Sequence, residues 1–158
     1  DFITYYGFLA TAQVVITKNV DKSKLEPFTR GVSNHFKKNI WRFHSSIKCL
    51  RKTGFNFDQL FNSYDIIVTP VLAHETTKIG YLSATLPYEE IKQRVTEFAP
   101  FTAVQNVTGS PAISLPMGVS SNGLPIGLQY CAAFGQEKKL LELAFELETA
   151  QPWKFVHQ

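Results

Sequence analysis

The first half of the chain carries helical patterns of apolar residues. The run DFITYYGFLATAQVVI predicts a mostly buried helix over residues 1 to about 18, and the polar run TKNVDKSKLEP predicts a connector. Residues 26–52 predict a second helix or a pair of helices, with Pro27 in the first turn, where its missing N–H costs nothing. Gly54 is expected to end this helix, and a short helix over residues 58–62 follows.

The second half alternates between strand and helix patterns. IIVT, over residues 66–69, is a continuous β-branched run that predicts a strand covered on both faces and stopped by Pro70. A loop over residues 71–87 follows, and then a helix, PYEEIKQRVTEF, with acidic residues in its first turn. AISLPMGV and LPIGLQYCA predict an antiparallel pair, because the Asn-Gly turn between them is a strong hairpin signal.

A last helix and the order of elements together predict the fold class. Residues 136–149 predict a helix with Leu140, Leu143, Ala144 and Leu147 on one side. With Leu141 and Phe145 added, the apolar stripe is wide enough to pack between a sheet and another helix. The predicted class is α/β, with a mixed β-sheet flanked by helices. The length of 158 residues fits one domain. Within it, residues 1–62 are expected to be mainly helical, and residues 63–150 to hold the strands, the hairpin and the C-terminal helix.

Composition predicts a folded chain that carries little charge. Apolar residues make up 44% of the sequence and charged residues 18%, against about 25% charged in typical domains, which excludes disorder as a global description. The low charge and the thirteen phenylalanines indicate that further polypeptide normally covers this chain. Because the chain begins at Asp1 and its one methionine is Met117, we interpret it as a fragment or a processed product.

The net charge of +3 comes mostly from one basic run, KKNIWRFHSSIKCLRK, over residues 37–52. A nucleic-acid binder could use this run, since its cations can contact phosphates and aromatic residues are interleaved with them. The favoured interpretation is a solvated helix face. Apolar residues recur in the run at spacings of three and four and predict a buried stripe, formed by Ile40, Phe43, Ile47 and Leu50.

Little in the sequence indicates a metal, a cofactor or a membrane. The four histidines include no pair spaced to bind a metal from one helix face; they are His35, His44, His74 and His157. Cys49 and Cys131 form neither a zinc pair nor a disulfide framework, so no metal and no cofactor are predicted. The apolar opening run is shorter than the roughly 20 residues of a membrane span and lacks the basic start of a signal peptide. We therefore predict a cytoplasmic location and no membrane partner.

Ser110 is a poor candidate for a catalytic nucleophile. A G-x-S-x-G elbow would need glycine at the positions of Thr108 and Ala112. Pro111 also removes the amide donor that follows the serine. We expect Gly109 to permit a turn and the residues after it to form a buried strand, so no catalytic residue is predicted in this chain.

Three motifs carry a family resemblance. YDIIVTPVLA and PFTAVQNVTGSPAISLPMGVSSNGLPIGLQYCAAFGQEKKLLELAFELE resemble the C-terminal part of the amidase signature family of hydrolases, and LEPFTR resembles the helical segment that precedes it. The resemblance implies the C-terminal portion of the amidase signature fold and amide hydrolysis by a Ser, cis-Ser, Lys triad. In that family the lysine acts through the bridging serine to deprotonate the nucleophilic serine. The triad lies in the N-terminal part, so the resemblance implies that this chain alone is inactive.

The resemblance also implies substrate-binding residues near the acyl-binding channel. Transferred position by position, these are Phe101, Thr102, Gln105, Asn106 and His74, and the segment from Val71 to His74 follows the strand that ends near the channel. Purely structural roles remain open for them, with Phe101 as a core residue and His74 as a solvated side chain. Asn106 is expected to face inward, which would leave its Asn-Val-Thr sequon unused.

The implied partners are a small amide substrate in the full-length enzyme and the N-terminal part of the same enzyme. Nucleic acid is the disfavoured partner, and exposed apolar surface predicts self-association of the isolated fragment. Three alternatives stay open. The parent could be the A subunit of a glutamyl-tRNA(Gln) amidotransferase, a degenerate amidase scaffold kept for interaction, or a non-catalytic basic module that binds nucleic acid.

Overall fold

A computed structural model describes residues 1–17 and 20–153, so His157 lies outside the described residues. The helices are α1 (Phe2–Ile16), α2 (Pro27–Lys38), α3 (Phe43–Gln59), α4 (Tyr88–Phe98), α5 (Ala103–Thr108) and α6 (Glu137–Ala150). The strands are β1 (Ile67–Pro70), β2 (Ala112–Val119) and β3 (Pro125–Cys131). Short 3₁₀ segments occupy Lys22–Lys24, Ile40–Arg42 and Leu60–Asn62.

The chain divides into two compact units. Unit 1 comprises Asp1–Lys52 and Thr77–Glu97, and unit 2 comprises Thr53–Thr76 and Phe98–Gln158. Unit 1 contains only helices and loops among its described residues, whereas unit 2 contains the sheet. The single domain over residues 1–158 stays a prediction.

Close packing of α1 on α2 organises unit 1. Gly7 is buried, and a Cβ atom added there would lie 2.4 Å from the carbonyl oxygen of Val32 and 2.9 Å from Cβ of Phe36. The absence of a side chain therefore lets the two backbones approach each other. Beside this crossing, the ring of Phe8 lies 5.6 Å from that of Phe36 and 4.6 Å from that of Phe43. The aromatic cluster joins α1 to α2 and to the start of α3.

The prediction that the first helix is mostly buried is wrong for this chain. Within α1 only Thr4 and Gly7 are buried, and Ile16 is 78% exposed. The apolar residues surround the whole helix, but the neighbouring helices of unit 1 cover only part of its surface. The remaining apolar surface of α1 is exposed.

Two details of the basic helical region also differ from the sequence prediction. Gly54 does not end the helix, since α3 continues to Gln59. A helical glycine costs only about 1 kcal/mol relative to alanine, and tertiary packing can outweigh that cost. Ile40 was expected in a buried stripe but is 61% exposed. It lies in the 3₁₀ segment between α2 and α3, which interrupts the helical spacing that placed Ile40 on the same face as Phe43.

The sheet of unit 2 has the strand order β1-β3-β2, and β3 pairs antiparallel with both neighbours. The predicted hairpin of β2 and β3 is confirmed. One face of the sheet packs on α6 and forms a core around Leu115, Tyr130, Ala132 and Leu140. Leu143, Ala144 and Leu147 pack against this core, as predicted. The wider stripe is wrong, since Leu141 and Phe145 are exposed. The α/β class is confirmed.

The first strand differs from its prediction. Pro70 belongs to β1 and pairs with Leu128, which an edge strand tolerates because the missing N–H can face away from its neighbour. Val68 is 49% exposed, so β1 is not covered on both faces within unit 2. Both strand pairings are antiparallel, and β1 and β2 are parallel to each other only across β3. The described residues therefore contain no parallel strand pair of the expected mixed sheet.

Two helical glycines predict stability changes of opposite sign. Gly7→Ala is expected to lower the free energy of unfolding by about 1–3 kcal/mol, because the new methyl group would overlap the backbone of α2. Gly54→Ala is the matched control. Its Cβ would meet ordinary contacts at 3.9 Å and beyond, so we expect a gain of about 0.5–1 kcal/mol. Urea denaturation followed by circular dichroism measures both, and equal effects would contradict the close crossing.

Two adjacent leucines of α6 test the core of unit 2. Leu140 is 3% exposed and Leu141 is 53% exposed. Leu140→Ala is expected to cost about 2–5 kcal/mol, because it removes transfer energy and leaves a cavity. Leu141→Ala is expected to change stability by less than about 0.5 kcal/mol. A larger loss for Leu141→Ala than for Leu140→Ala in thermal or urea unfolding would show that α6 packs on the sheet through another face.

Candidate functional site

The sheet face opposite α6 is polar. Thr69 of β1, Gln129 of β3 and Ser114 of β2 are register partners, so their side chains form one row across the three strands. Gln129 is buried, and Thr69 Oγ1 is buried without a hydrogen-bond partner among the described residues. An unsatisfied buried polar group costs about 1–3 kcal/mol. Thr69 Oγ1 could therefore form a hydrogen bond with a polar group from outside unit 2.

Helix α5 contacts this polar face through a cysteine. Gln105 Nε2 of α5 donates to Cys131 Sγ at 2.9 Å, and Gln129 Nε2 donates to the same sulfur at 3.3 Å. Cys131 is fully buried. Gln105 Oε1 is a second buried atom without a hydrogen-bond partner in the described part of the chain. Two unsatisfied acceptor-capable oxygens, from Gln105 and Thr69, thus occur in the polar part of unit 2.

The sequence prediction missed α5. The helix ends at Gly109, which has φ +72° and whose N–H donates to the carbonyl oxygen of Gln105 at 2.8 Å. A left-handed glycine is the usual end of a helix, so Gly109 was the available signal. The expected turn at Gly109 is confirmed. Ser110 follows it, is buried, and its N–H donates to Thr108 Oγ1 at 3.1 Å.

An open groove of about 800 Å³ lies between the loop after β1 and the β2–β3 hairpin. Its volume is in the range of small-molecule sites, about 300–1,000 Å³. The N–H of Val71 donates to the carbonyl oxygen of Gly127 at 3.1 Å, and the N–H of Ala73 donates to that of Phe98 at 3.0 Å. These bonds hold residues 71–76 as one wall of the groove. Serine hydroxyls and small apolar side chains contribute to the hairpin wall.

A polar clasp joins the two walls of the groove. Asn122 Nδ2 in the hairpin turn donates to Glu75 Oε2 at 2.8 Å. Hydrogen bonds from Ser120 and then Asn122 lower the pKa of the Glu75 carboxyl below its usual range. His74 Nδ1 lies 2.9 Å from the carbonyl oxygen of Glu75, which can only accept, so Nδ1 donates. The His74 ring also contacts Phe98, with 5.1 Å between ring centroids.

The structure brings only one of the five predicted substrate-binding residues to the groove. His74 lines it and is exposed. Phe101 is exposed rather than a core residue, and Thr102 is half-buried, while the half-buried Gln105 contacts Cys131. Asn106 does not face inward, since it is exposed and its Nδ2 contacts only the Thr102 carbonyl oxygen, at 3.5 Å. One residue of helix rotates the side chain by about 100°, so Gln105 and Asn106 face different directions.

The described residues offer little that fits another kind of site. Within residues 1–17 and 20–153, no three histidine, cysteine or acidic side chains come together in a way that could hold a metal ion. The same residues include no helix long and apolar enough to cross a membrane. Cys49 is exposed and Cys131 is buried, and neither forms a disulfide.

Comparison with known proteins identifies the family. The family model described as Amidase matches residues 11–141. The chain belongs to the amidase family. This amidase chain is 43% identical over 158 aligned residues to a Mycobacterium leprae protein named as the amidase AmiC, and the match covers 97% of this chain and 34% of the relative.

Solved structures of amidase relatives share the fold. A 6-aminohexanoate cyclic dimer hydrolase complexed with substrate superimposes with a TM-score of 0.77 at 27% identity, over 96% of this chain and 35% of the hydrolase. The A subunit of the Thermotoga maritima glutamyl-tRNA(Gln) amidotransferase superimposes with a TM-score of 0.66 at 25% identity, over 98% of this chain and 33% of that relative. This amidase chain thus spans about a third of the length of the relatives that it matches.

The clasp predicts a pH-dependent contact. Hydrogen bonds hold the Glu75 pKa below its usual range. We therefore expect the ionised Glu75 carboxylate to stabilise the folded state above about pH 4.3, and this contribution to be lost as the pH falls through the lowered pKa. Asn122→Ala is expected to raise the Glu75 pKa towards the ordinary value, as measured by NMR titration of the side-chain carboxyl. The control Asn56→Ala changes an exposed amide of α3. An unchanged Glu75 pKa in Asn122→Ala would disprove the clasp.

Proposed function

We propose that this chain is the C-terminal part of an amide hydrolase, and that the parent protein cleaves carboxylic amide C–N bonds. The observation that carries the proposal is the superposition of 96% of the chain on about a third of a hydrolase of a cyclic amide dimer, with a TM-score of 0.77. The Amidase family match over residues 11–141 supports the same class of reaction.

In the proposed division of labour, the catalytic groups come from the rest of the parent protein. The Ser, cis-Ser, Lys triad implied by the family resemblance would lie outside this chain, which would be inactive alone. The chain itself would supply sheet scaffold and pocket walls. Polar residues of unit 2 support this role, since the buried oxygens of Thr69 and Gln105 have no hydrogen-bond partner within residues 1–17 and 20–153 and can bind a group from outside. A small amide substrate would meet the implied residues, which are His74, Phe101, Thr102, Gln105 and Asn106.

The exposed apolar residues support a covering partner. Leu141 and Phe145 are exposed on α6, and Val15 and Ile16 are exposed on α1. Exposed apolar side chains are costly when they form a contiguous patch. We propose that the remaining two-thirds of the parent protein covers these residues, and that the isolated chain self-associates through them.

A second candidate function has one supporting observation. The chain also superimposes on the A subunit of a glutamyl-tRNA(Gln) amidotransferase over 98% of its length. The lower TM-score, 0.66 against 0.77, makes the hydrolase the better-supported candidate. Hydrolysis of simple amides by the parent protein, with no other subunit and no tRNA added, would favour the hydrolase over the amidotransferase.

The proposal predicts turnover by the parent protein and none by the isolated chain. The measurement is release of ammonia or amine from a panel of aliphatic and aromatic amides. Turnover by the purified 158-residue chain above a buffer blank would contradict the claim that its catalytic residues lie elsewhere. A parent protein that hydrolyses none of the amides would contradict the hydrolase assignment.

A variant pair in the same parent protein tests the pocket wall. Thr102→Val is expected to lower kcat/KM by about tenfold, since one lost hydrogen bond of about 1.4 kcal/mol corresponds to that factor. The matched control is Thr149→Val, which changes an exposed threonine of α6. Equal kcat/KM for the two variants would remove Thr102 from the pocket.

A further inference from the structure

The turn between α2 and α3 exposes two large apolar side chains among cations. We call residues 37–42 the basic corner. In it Ile40 is 61% exposed and Trp41 is 76% exposed. Lys37, Lys38 and Arg42 are exposed beside them. This combination differs from a solvated helix face, whose exposed residues are polar.

The charge around the basic corner has a single sign. Residues 27–57 contain seven basic and no acidic residues. All seven cations are exposed, and they are Arg30, Lys37, Lys38, Arg42, Lys48, Arg51 and Lys52. Among the described residues, none of these seven forms an ion pair, whereas Lys24, Lys92, Arg94, Lys138 and Lys139 each have a carboxylate partner. The uncompensated cations therefore favour an anionic partner.

The basic corner is supported from beneath. Phe36 precedes it and is buried, and its ring lies 5.6 Å from that of Phe43, which follows the corner. The guanidinium carbon of Arg42 lies 5.7 Å from the Trp41 ring centroid, within the range of a cation–π contact. The aromatic packing on both sides fixes the 3₁₀ segment Ile40–Arg42 as the exposed apex.

We propose that the basic corner docks on the surface of an anionic lipid bilayer. Trp41 and Ile40 would enter the boundary between headgroups and acyl chains, where tryptophan is favoured, and Lys37, Lys38 and Arg42 would contact lipid phosphates. The exposed apolar side chains of Ile40 and Trp41 favour a bilayer over the other anionic or protein partners. Nucleic acid would account for the cations but offers no apolar medium for Ile40, and a second copy of the chain would bring the same positive charge.

Surface docking departs from the sequence prediction of no membrane partner. That prediction rested on the missing span and signal peptide, whereas a peripheral contact needs neither. It also treated Ile40 as buried, and the exposure of Ile40 is what supplies the apolar contact.

The test is co-sedimentation of the chain with vesicles of phosphatidylcholine, with or without phosphatidylglycerol. We expect binding only with phosphatidylglycerol, and weaker binding as the salt concentration rises from about 0.05 to about 0.5 M. Ile40→Ser with Trp41→Ala, and separately Lys37→Gln with Lys38→Gln and Arg42→Gln, are each expected to weaken binding at least about tenfold. Circular dichroism verifies that each variant is folded.

Matched controls separate the basic corner from other exposed groups. Ile79→Ser removes an exposed apolar side chain from the loop before α4, and Lys22→Gln with Lys24→Gln and Lys78→Gln removes three exposed cations elsewhere. Both controls are expected to keep wild-type binding. In a Trp153→Phe background, Trp41 fluorescence is expected to shift to shorter wavelength on anionic vesicles.

Three results would overturn the proposal. The first is equal binding of neutral and anionic vesicles, and the second is loss of binding in the controls to the same extent as in the corner variants. The third is an absence of binding to anionic vesicles. Salt-dependent oligonucleotide binding that the corner variants lose would then indicate nucleic acid as the partner, and self-association that Trp41→Ala abolishes would indicate a second copy of the chain.

Discussion

The pairing of β3 with both β1 and β2 is the interaction on which unit 2 depends. β3 is the central strand, and its residues set the register of both neighbours, with Cys131 opposite Ile67 and Ala112. Because side chains alternate along a strand, this one register separates an apolar face from a polar face. A slip of one residue would place Gln129 against α6 and Tyr130 on the polar side. The core and the candidate site are therefore determined by the same hydrogen bonds.

The two faces of the sheet have different roles, since one forms the hydrophobic core with α6 and the other presents the polar residues of the candidate site. The apolar face packs Leu115 against α6, which contributes Leu140 to the same hydrophobic core. On the polar side, Thr69 of the sheet and Gln105 of α5 each have a buried oxygen with no hydrogen-bond partner in the described part of the chain, which burial alone would disfavour. Such groups support the proposed contact of these residues with a polar group from outside unit 2. The exposed apolar side of α1 supports the proposed covering by further polypeptide.

Strong local signals were sufficient for much of this fold. The Asn-Gly turn and its flanking apolar runs predicted the hairpin, and the stripe of α6 predicted its buried face, both of which the structure confirms. Weaker signals failed. Gly54 sits inside α3 because a single glycine costs too little to end a packed helix. Helix α5 was missed since six residues give less than two turns of periodicity. The five substrate-binding residues implied by the family resemblance stay a prediction, and of these His74 lines the groove.

The sequence by itself determined the family, the fold class and the position of most helices and strands, because these depend on local pattern and on motifs in order. Only the tertiary structure decided which apolar residues are covered. Ile40 and Phe43 have the same helical spacing in the sequence, yet the 3₁₀ segment leaves Ile40 in solvent while Phe43 packs on Phe8. Burial depends on which surfaces meet in space. A periodic pattern defines the face of one element but not the neighbour that covers it.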